Sequence, residues 1–133
     1  MAGPSPLFAS PDDLSSPPGY SHVVTIPAGR LVWTAGQIAM NADGSVVGVG
    51  DWEAQARLVF ENLTRALEAA GAGWSDVVKL TYYVVDISGL ATIRGVRDDF
   101  VDRTQPPTST LVQVAGLAYP DLLLEVEAVA WLR

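Results

Sequence analysis

One segment of the chain repeats its apolar residues at helical spacing. Asp51 suits an N-cap, Glu53 would face the positive end of the helix dipole, and Gly71 suits the position where a helix ends. The pattern predicts an amphipathic helix between Asp51 and Gly71. Its apolar face carries Ala56, Phe60, Leu63, Leu67 and Ala70.

A second apolar stripe predicts another helix over about 88–103, ended by Pro106 and Pro107. Runs of β-branched and alternating residues predict the strands. The segments 21–26 and 31–34 are separated by a turn and predict a hairpin. The other predicted strands are 45–49, 77–85, 108–115 and 122–131.

This order of elements is typical of an α+β two-layer sandwich, in which two helices cover one face of a mostly antiparallel sheet. The last strand also alternates on its second face, which holds Leu123, Glu125, Glu127, Val129 and Trp131. That face is too apolar for free water yet carries two carboxylates, so it predicts contact with a partner subunit and hence an oligomer.

The length of 133 residues indicates one folded domain, which we assign to residues 20–133. Residues 1–19 are rich in proline and serine and predict a coil or a mobile arm. This arm has no basic leader region, and no apolar run is long enough to span a bilayer. We therefore expect a cytoplasmic protein with no membrane partner.

Composition excludes several kinds of chemistry. The chain has no cysteine and only one histidine, which excludes thiolate ligands, cysteine nucleophiles and zinc sites with several histidines. Its net charge is −7, and its one lysine and seven arginines form no basic patch in the sequence. We therefore expect no nucleic-acid partner.

The chain resembles the Rid family, also called the YjgF family, from about residue 20 to its end. No single motif is specific, but their order and spacing together are. The matching runs are YSHVV at 20–24, AGQI at 35–38, AQAR at 54–57, NL at 62–63, LEAAG at 67–71, DVVK at 76–79, YVVD at 83–86 and LEVEAVA at 124–130.

The resemblance implies a chorismate-mutase-like fold assembled as a homotrimer, with sheets lining a central barrel and ligand clefts between subunits. Deaminating members hydrolyse small imines and enamines such as 2-aminoacrylate, and they need no cofactor. In those members an arginine binds the substrate carboxylate, and a glutamate on the last strand is thought to position water.

Several family positions are changed here. The arginine is Thr108, which offers one neutral hydroxyl in place of a two-pronged guanidinium. The family's serine is replaced by Ala35, an asparagine of its second helix by Arg94, and a cysteine by Thr110. The glutamate is retained as Glu127. The resemblance therefore implies the family fold with much of the deaminase chemistry replaced.

Glu127 is the predicted catalytic residue, because its apolar neighbours would partly desolvate a carboxylate suited to holding water or a proton. The alternative is that Glu127 pairs with an arginine across a subunit interface or faces water.

Arg94 would replace the lost cation if it reaches the cleft, and would otherwise be an exposed helical residue. The remaining predicted ligand-binding residues are Tyr20, Ala35, Gly36, Thr108 and Thr110. A purely structural role is the alternative for all of them except Ala35.

Three functions stay open from the sequence. The first is a trimer that binds a small metabolite and hydrolyses or tautomerises an imine, enamine or related carbonyl compound without a metal or cofactor. The second is a non-catalytic trimer that senses a ligand or binds a partner. The third is endoribonuclease or translation-inhibitor activity, which the acidic balance disfavours.

Overall fold

The computed structural model describes residues 3–133, which form six strands and two α-helices. Two single 3₁₀ turns precede β4 and α2. In chain order the elements are β1 (Leu7–Ala9), β2 (Val23–Thr25), β3 (Arg30–Trp33), α1 (Trp52–Ala69), β4 (Val77–Val84), α2 (Leu90–Arg97), β5 (Thr108–Gln113) and β6 (Leu124–Leu132).

The main sheet has four strands in the order β3-β6-β4-β5. β6 is antiparallel to both of its neighbours, whereas β5 runs parallel to β4. A parallel pair needs a crossover connection, and α2 lies in that connection. The mostly antiparallel α+β architecture is therefore confirmed.

Both helices pack on one face of this sheet and enclose the core. Asp51 Oδ1 accepts a hydrogen bond from the Ala54 amide at 3.0 Å, which fixes the start of α1, and Gly71 has a φ of 76° just beyond its end. The predicted apolar face of α1 is confirmed as buried up to Leu67. Alternate residues of β6 are buried beneath this apolar face, namely Leu124, Val126, Ala128 and Ala130.

The predicted hairpin is wrong. β2 pairs with β1, and β3 pairs with β6, so 21–26 and 31–34 lie in different sheets. The connection between them instead packs on β6, where the Trp131 indole donates to the Pro27 carbonyl at 3.1 Å. Trp131 is consequently buried by its own chain, although its strand face was predicted to meet a partner.

The prediction of coil for residues 1–19 is corrected at Leu7–Ala9, which forms the strand β1; residues 1 and 2 lie outside the described residues. Arg133 fixes this segment through hydrogen bonds to the Gly3 and Pro4 carbonyls. Such a contact joins the two ends of the chain, so no local pattern could indicate it.

The second helix is shorter than predicted. A 3₁₀ turn with Asp86 as its cap precedes it, and α2 ends at Arg97. Asp102 Oδ1 accepts from the amide and hydroxyl of Thr104, which holds the chain in a turn where the helix was expected to continue. The predicted strand 45–49 is reduced to one bridge between Met40 and Val46.

In residues 3–133, no helix is both long and apolar enough to cross a membrane.

Candidate functional site

The face of the sheet opposite the helices, here called the open face, collects polar side chains from three neighbouring strands. Thr81 pairs with Glu127 on one side and with Thr110 on the other. Because paired residues on adjacent strands project to the same side, alternate residues of each strand share this face. Its polar members are Lys79, Thr81, Tyr83, Thr108, Thr110, Glu125 and Glu127.

Glu127 is half-buried near the middle of the open face. The Tyr83 hydroxyl donates a hydrogen bond to Glu127 Oε1 at 2.9 Å. This bond to a carboxylate raises the pKa of Tyr83 above its ordinary 10.0, with smaller contributions from desolvation and from the charges of Glu127 and Glu125. The phenol therefore stays protonated and remains a donor to Glu127 through the neutral pH range.

A cleft of about 550 Å³ opens over this carboxylate. Its polar residues are Lys79, Thr81, Thr108 and Glu127, all on the open face. Its walls are apolar and come partly from the β1–β2 ribbon and β3. The lining residues outside the polar group are Val24, Ile26, Leu31, Trp33, Val78, Ala128 and Val129. A carboxylate in a concave, largely apolar space is an arrangement typical of small-molecule sites.

Thr108 lies in this cleft, but its one O–H donor is already used. It donates to the Val78 carbonyl at 2.9 Å. Lys79 lies directly opposite Thr108 in the β4–β5 pairing and is exposed. Within residues 3–133 its ammonium has no carboxylate within 4.0 Å. Sequence reasoning missed Lys79, because only the strand register brings it beside Thr108.

Gly36 lies next to Glu125, one pleat along β6 from Glu127. A side chain at Gly36 would meet the Glu125 carboxylate and force it to move. The neighbouring Gln37 exchanges backbone hydrogen bonds with Val126 and holds the segment against β6. Ala35 and Gly36 therefore border the open face without lining the cleft.

Tyr20 and Arg94 lie away from this cleft. They line a separate cavity of about 220 Å³ on the helix side of the sheet, together with Tyr82, Arg97 and other residues. Arg94 belongs to α2, which packs on the face opposite Glu127, so it does not reach the cleft of its own chain. The structure thus divides the predicted site residues into two groups.

Metal chemistry has no evident centre in the described part of the chain. Among residues 3–133, no three histidine, aspartate or glutamate side chains converge closely enough to hold an ion.

Four strands with two helices on one face make this chain a small α+β protein, and sequence comparison identifies its family. The model of the family described as endoribonuclease L-PSP matches residues 12–132. The chain belongs to this family, which includes the Rid proteins.

Three relatives illustrate the similarity. The Rid-family protein YyfB from Yersinia pestis, described as of unknown function, superposes with a TM-score of 0.84 at 37% identity over 96% of this chain and 99% of that one. Escherichia coli TdcF with bound serine gives 0.71 at 37% identity over 81% and 85%. The 2-iminobutanoate/2-iminopropanoate deaminase of Salmonella typhimurium is 34% identical over 111 residues, covering 82% of this chain and 85% of that one.

Proposed function

We propose that this protein is a homotrimer that binds a small metabolite in the open-face cleft and hydrolyses or tautomerises an imine, enamine or related carbonyl compound. The observation that carries the proposal is the Glu127 carboxylate, held by Tyr83 inside a largely apolar cleft. The imine deaminase among its relatives supports the same class of reaction.

The chemistry needs only this carboxylate and water. With Oε1 bound to Tyr83, Oε2 is left to accept a proton from water as the water oxygen attacks the imine carbon. Glu127 then returns the proton to nitrogen, which gives a neutral carbinolamine. Glu127 next takes the hydroxyl proton of the carbinolamine and delivers it to the amine, so that the C–N bond breaks, the C=O bond forms and ammonia leaves. An imine and one water thereby give a carbonyl compound and ammonia. Tyr83 acts in this scheme as a positioning residue.

The cleft favours a different substrate from that of an arginine-bearing deaminase. The single O–H donor of Thr108 goes to the Val78 carbonyl, so it is not available to a substrate carboxylate. Lys79 supplies one mobile positive charge, which lacks the paired geometry of an arginine–carboxylate contact. We infer a substrate that is neutral or larger than a simple amino-acid imine, held mainly by the apolar walls.

Trimer assembly is part of the proposal, because apolar side chains remain exposed around the cleft. Leu31, Trp33 and Val112 are 42%, 68% and 42% exposed. A neighbouring subunit would cover them and close the cleft. Light scattering should give three times the chain mass of 14.1 kDa, and Trp33→Glu should shift the population to smaller species. A wild-type monomer would contradict this assembly.

A second candidate, a non-catalytic ligand-binding trimer, is favoured by the loss of the arginine and by the internally satisfied Thr108. An imine-hydrolysis assay separates the two. Imines would be generated by an amino-acid oxidase from amino acids of increasing size, and ammonia release followed for the native protein, Glu127→Ala and Thr108→Arg. The exposed Glu68→Ala is the control.

Native turnover that disappears in Glu127→Ala would establish the enzyme. Turnover gained only in Thr108→Arg would show an intact scaffold that serves another ligand. No turnover in any variant would favour the binding protein. The expected absence of RNA binding stays a prediction, and strongly salt-dependent RNA binding would contradict it.

A further inference from the structure

The helix side of the sheet holds an arginine cluster that is not evident from the sequence. Folding gathers three of the seven arginines around two adjoining cavities, of about 220 and 380 Å³. Arg94 and Arg97 line both cavities, and Arg103 lines the larger one. In a chain of net charge −7, this is a local concentration of positive charge.

Arg97 is unusual because it is only 8% exposed. Its Nε and Nη2 both contact Asp98 Oδ1 at 3.0 Å, which leaves Nη1 without a partner in the described residues. Gly19, with a φ of 87°, lies against the guanidinium, and a side chain there would displace it. The absence of a side chain at Gly19 leaves room for this buried cation beside the cavities.

Tyr82 provides an independent observation. It is 2% exposed and lines the smaller cavity, and its hydroxyl is the one buried side-chain polar atom in residues 3–133 without a hydrogen-bond partner. An unpaired buried hydroxyl is costly unless something binds it. Burial raises the pKa of Tyr82, so the group is a neutral donor at physiological pH.

The groups around this space are therefore mainly donors. Arg94, Arg97 and Arg103 are cationic, the hydroxyls of Tyr82 and Ser109 can donate, and Asp98 is the single carboxylate among the residues lining the two cavities. Asp98 is already paired with Arg97. An oxyanion would satisfy the free donors without displacing any contact.

We propose that Arg94, Arg97 and Tyr82 form a binding site for a small oxyanion, the carboxylate or phosphate group of a metabolite, on the sheet face opposite Glu127. The adjoining cavities, of about 220 and 380 Å³, have room for a small metabolite. This site goes beyond the proposed reaction, since none of its residues lines the Glu127 cleft.

The test is calorimetric titration of the full chain with inorganic phosphate, with propionate and with chloride at matched ionic strength. We expect saturable binding of at least one oxyanion and none of chloride. Tighter binding of phosphate would indicate a phosphorylated ligand. Tighter binding of propionate would indicate a ligand with a carboxylate group.

Variants assign the binding to this site. Tyr82→Phe keeps the ring and removes the unpaired hydroxyl, and Arg94→Gln removes a charge without touching the Arg97–Asp98 pair. Each should weaken oxyanion binding about tenfold, because each deletes a hydrogen bond to a charged group. Arg65→Gln, on α1, is the matched control and should bind as the native chain does.

Glu127→Gln should also leave oxyanion binding unchanged, so failure of the proposed reaction and failure of this site are distinguishable. Absence of saturable binding of both oxyanions would overturn the proposal. So would equal binding by the native chain, Tyr82→Phe and Arg94→Gln.

Discussion

The two faces of the main sheet are built from the same strands, yet one is buried under helices and the other is open. On β6, Val126 and Ala128 are buried under α1, while the residue between them, Glu127, stands in an open cleft. The buried face tolerates little change, because its side chains are packed against two helices. Within one chain the open face carries no such packing, so its side chains can vary while the fold is kept.

The largest expected effect on stability lies on the helix side. Leu63→Ala removes a fully buried side chain of α1 and should lower the free energy of unfolding by about 2–5 kcal/mol, through lost burial and the cavity left behind. Leu14→Ala, at a position 49% exposed, should change it by less than about 0.5 kcal/mol. Denaturant unfolding measures both, and equal effects would remove the distinction between buried and exposed positions.

A smaller effect is expected at the start of α1. Asp51→Ala deletes the side-chain cap on the Ala54 amide and should cost about 1 kcal/mol of stability. Asp51→Asn retains an acceptor and serves as the control. If Asp51→Ala and Asp51→Asn lose stability equally, the cap does not act through this hydrogen bond.

The smallest effect concerns the open face and is a shift in titration. Tyr83 should ionise above its ordinary pKa of 10.0, and Glu127→Gln should move that ionisation back toward the ordinary value by removing the charged acceptor. Since the folded pKa is raised, the associated stability is present below pH 10 and is lost as pH rises through the folded pKa.

Ultraviolet absorbance of tyrosinate, compared between the native chain and Tyr83→Phe, isolates this titration from the other tyrosines. An unchanged Tyr83 titration in Glu127→Gln would show that the hydrogen bond does not hold in solution.

The spacing of apolar residues predicted α1 and β6 well, because each element repeats these residues at a fixed period and buries them on one face. The same reasoning failed for the hairpin, because 21–26 and 31–34 have similar alternation. Their actual partners are the distant strands β1 and β6. Pairing between distant segments is not encoded in the period of either one.

Sequence reasoning placed only some of the candidate site residues correctly relative to one another. Glu127 and Thr108 were expected together, and the structure brings both to one cleft. Tyr20 and Arg94 were expected with them, but a family motif gives a position along the chain and does not show which face of the sheet it serves. Lys79 was missed for a related reason, because its place beside Thr108 follows from register alone.

We propose that Glu127 serves chemistry, while the side chains packed between the sheet and α1 serve folding. The most direct test measures imine turnover and denaturant unfolding on the same samples of native chain, Glu127→Gln and Glu125→Gln, the last being a matched change on the same face of β6. The account predicts that Glu127→Gln loses about 100-fold or more in turnover with stability nearly unchanged, while Glu125→Gln retains most activity. Undiminished turnover in Glu127→Gln, or parallel loss of turnover and stability, would contradict it.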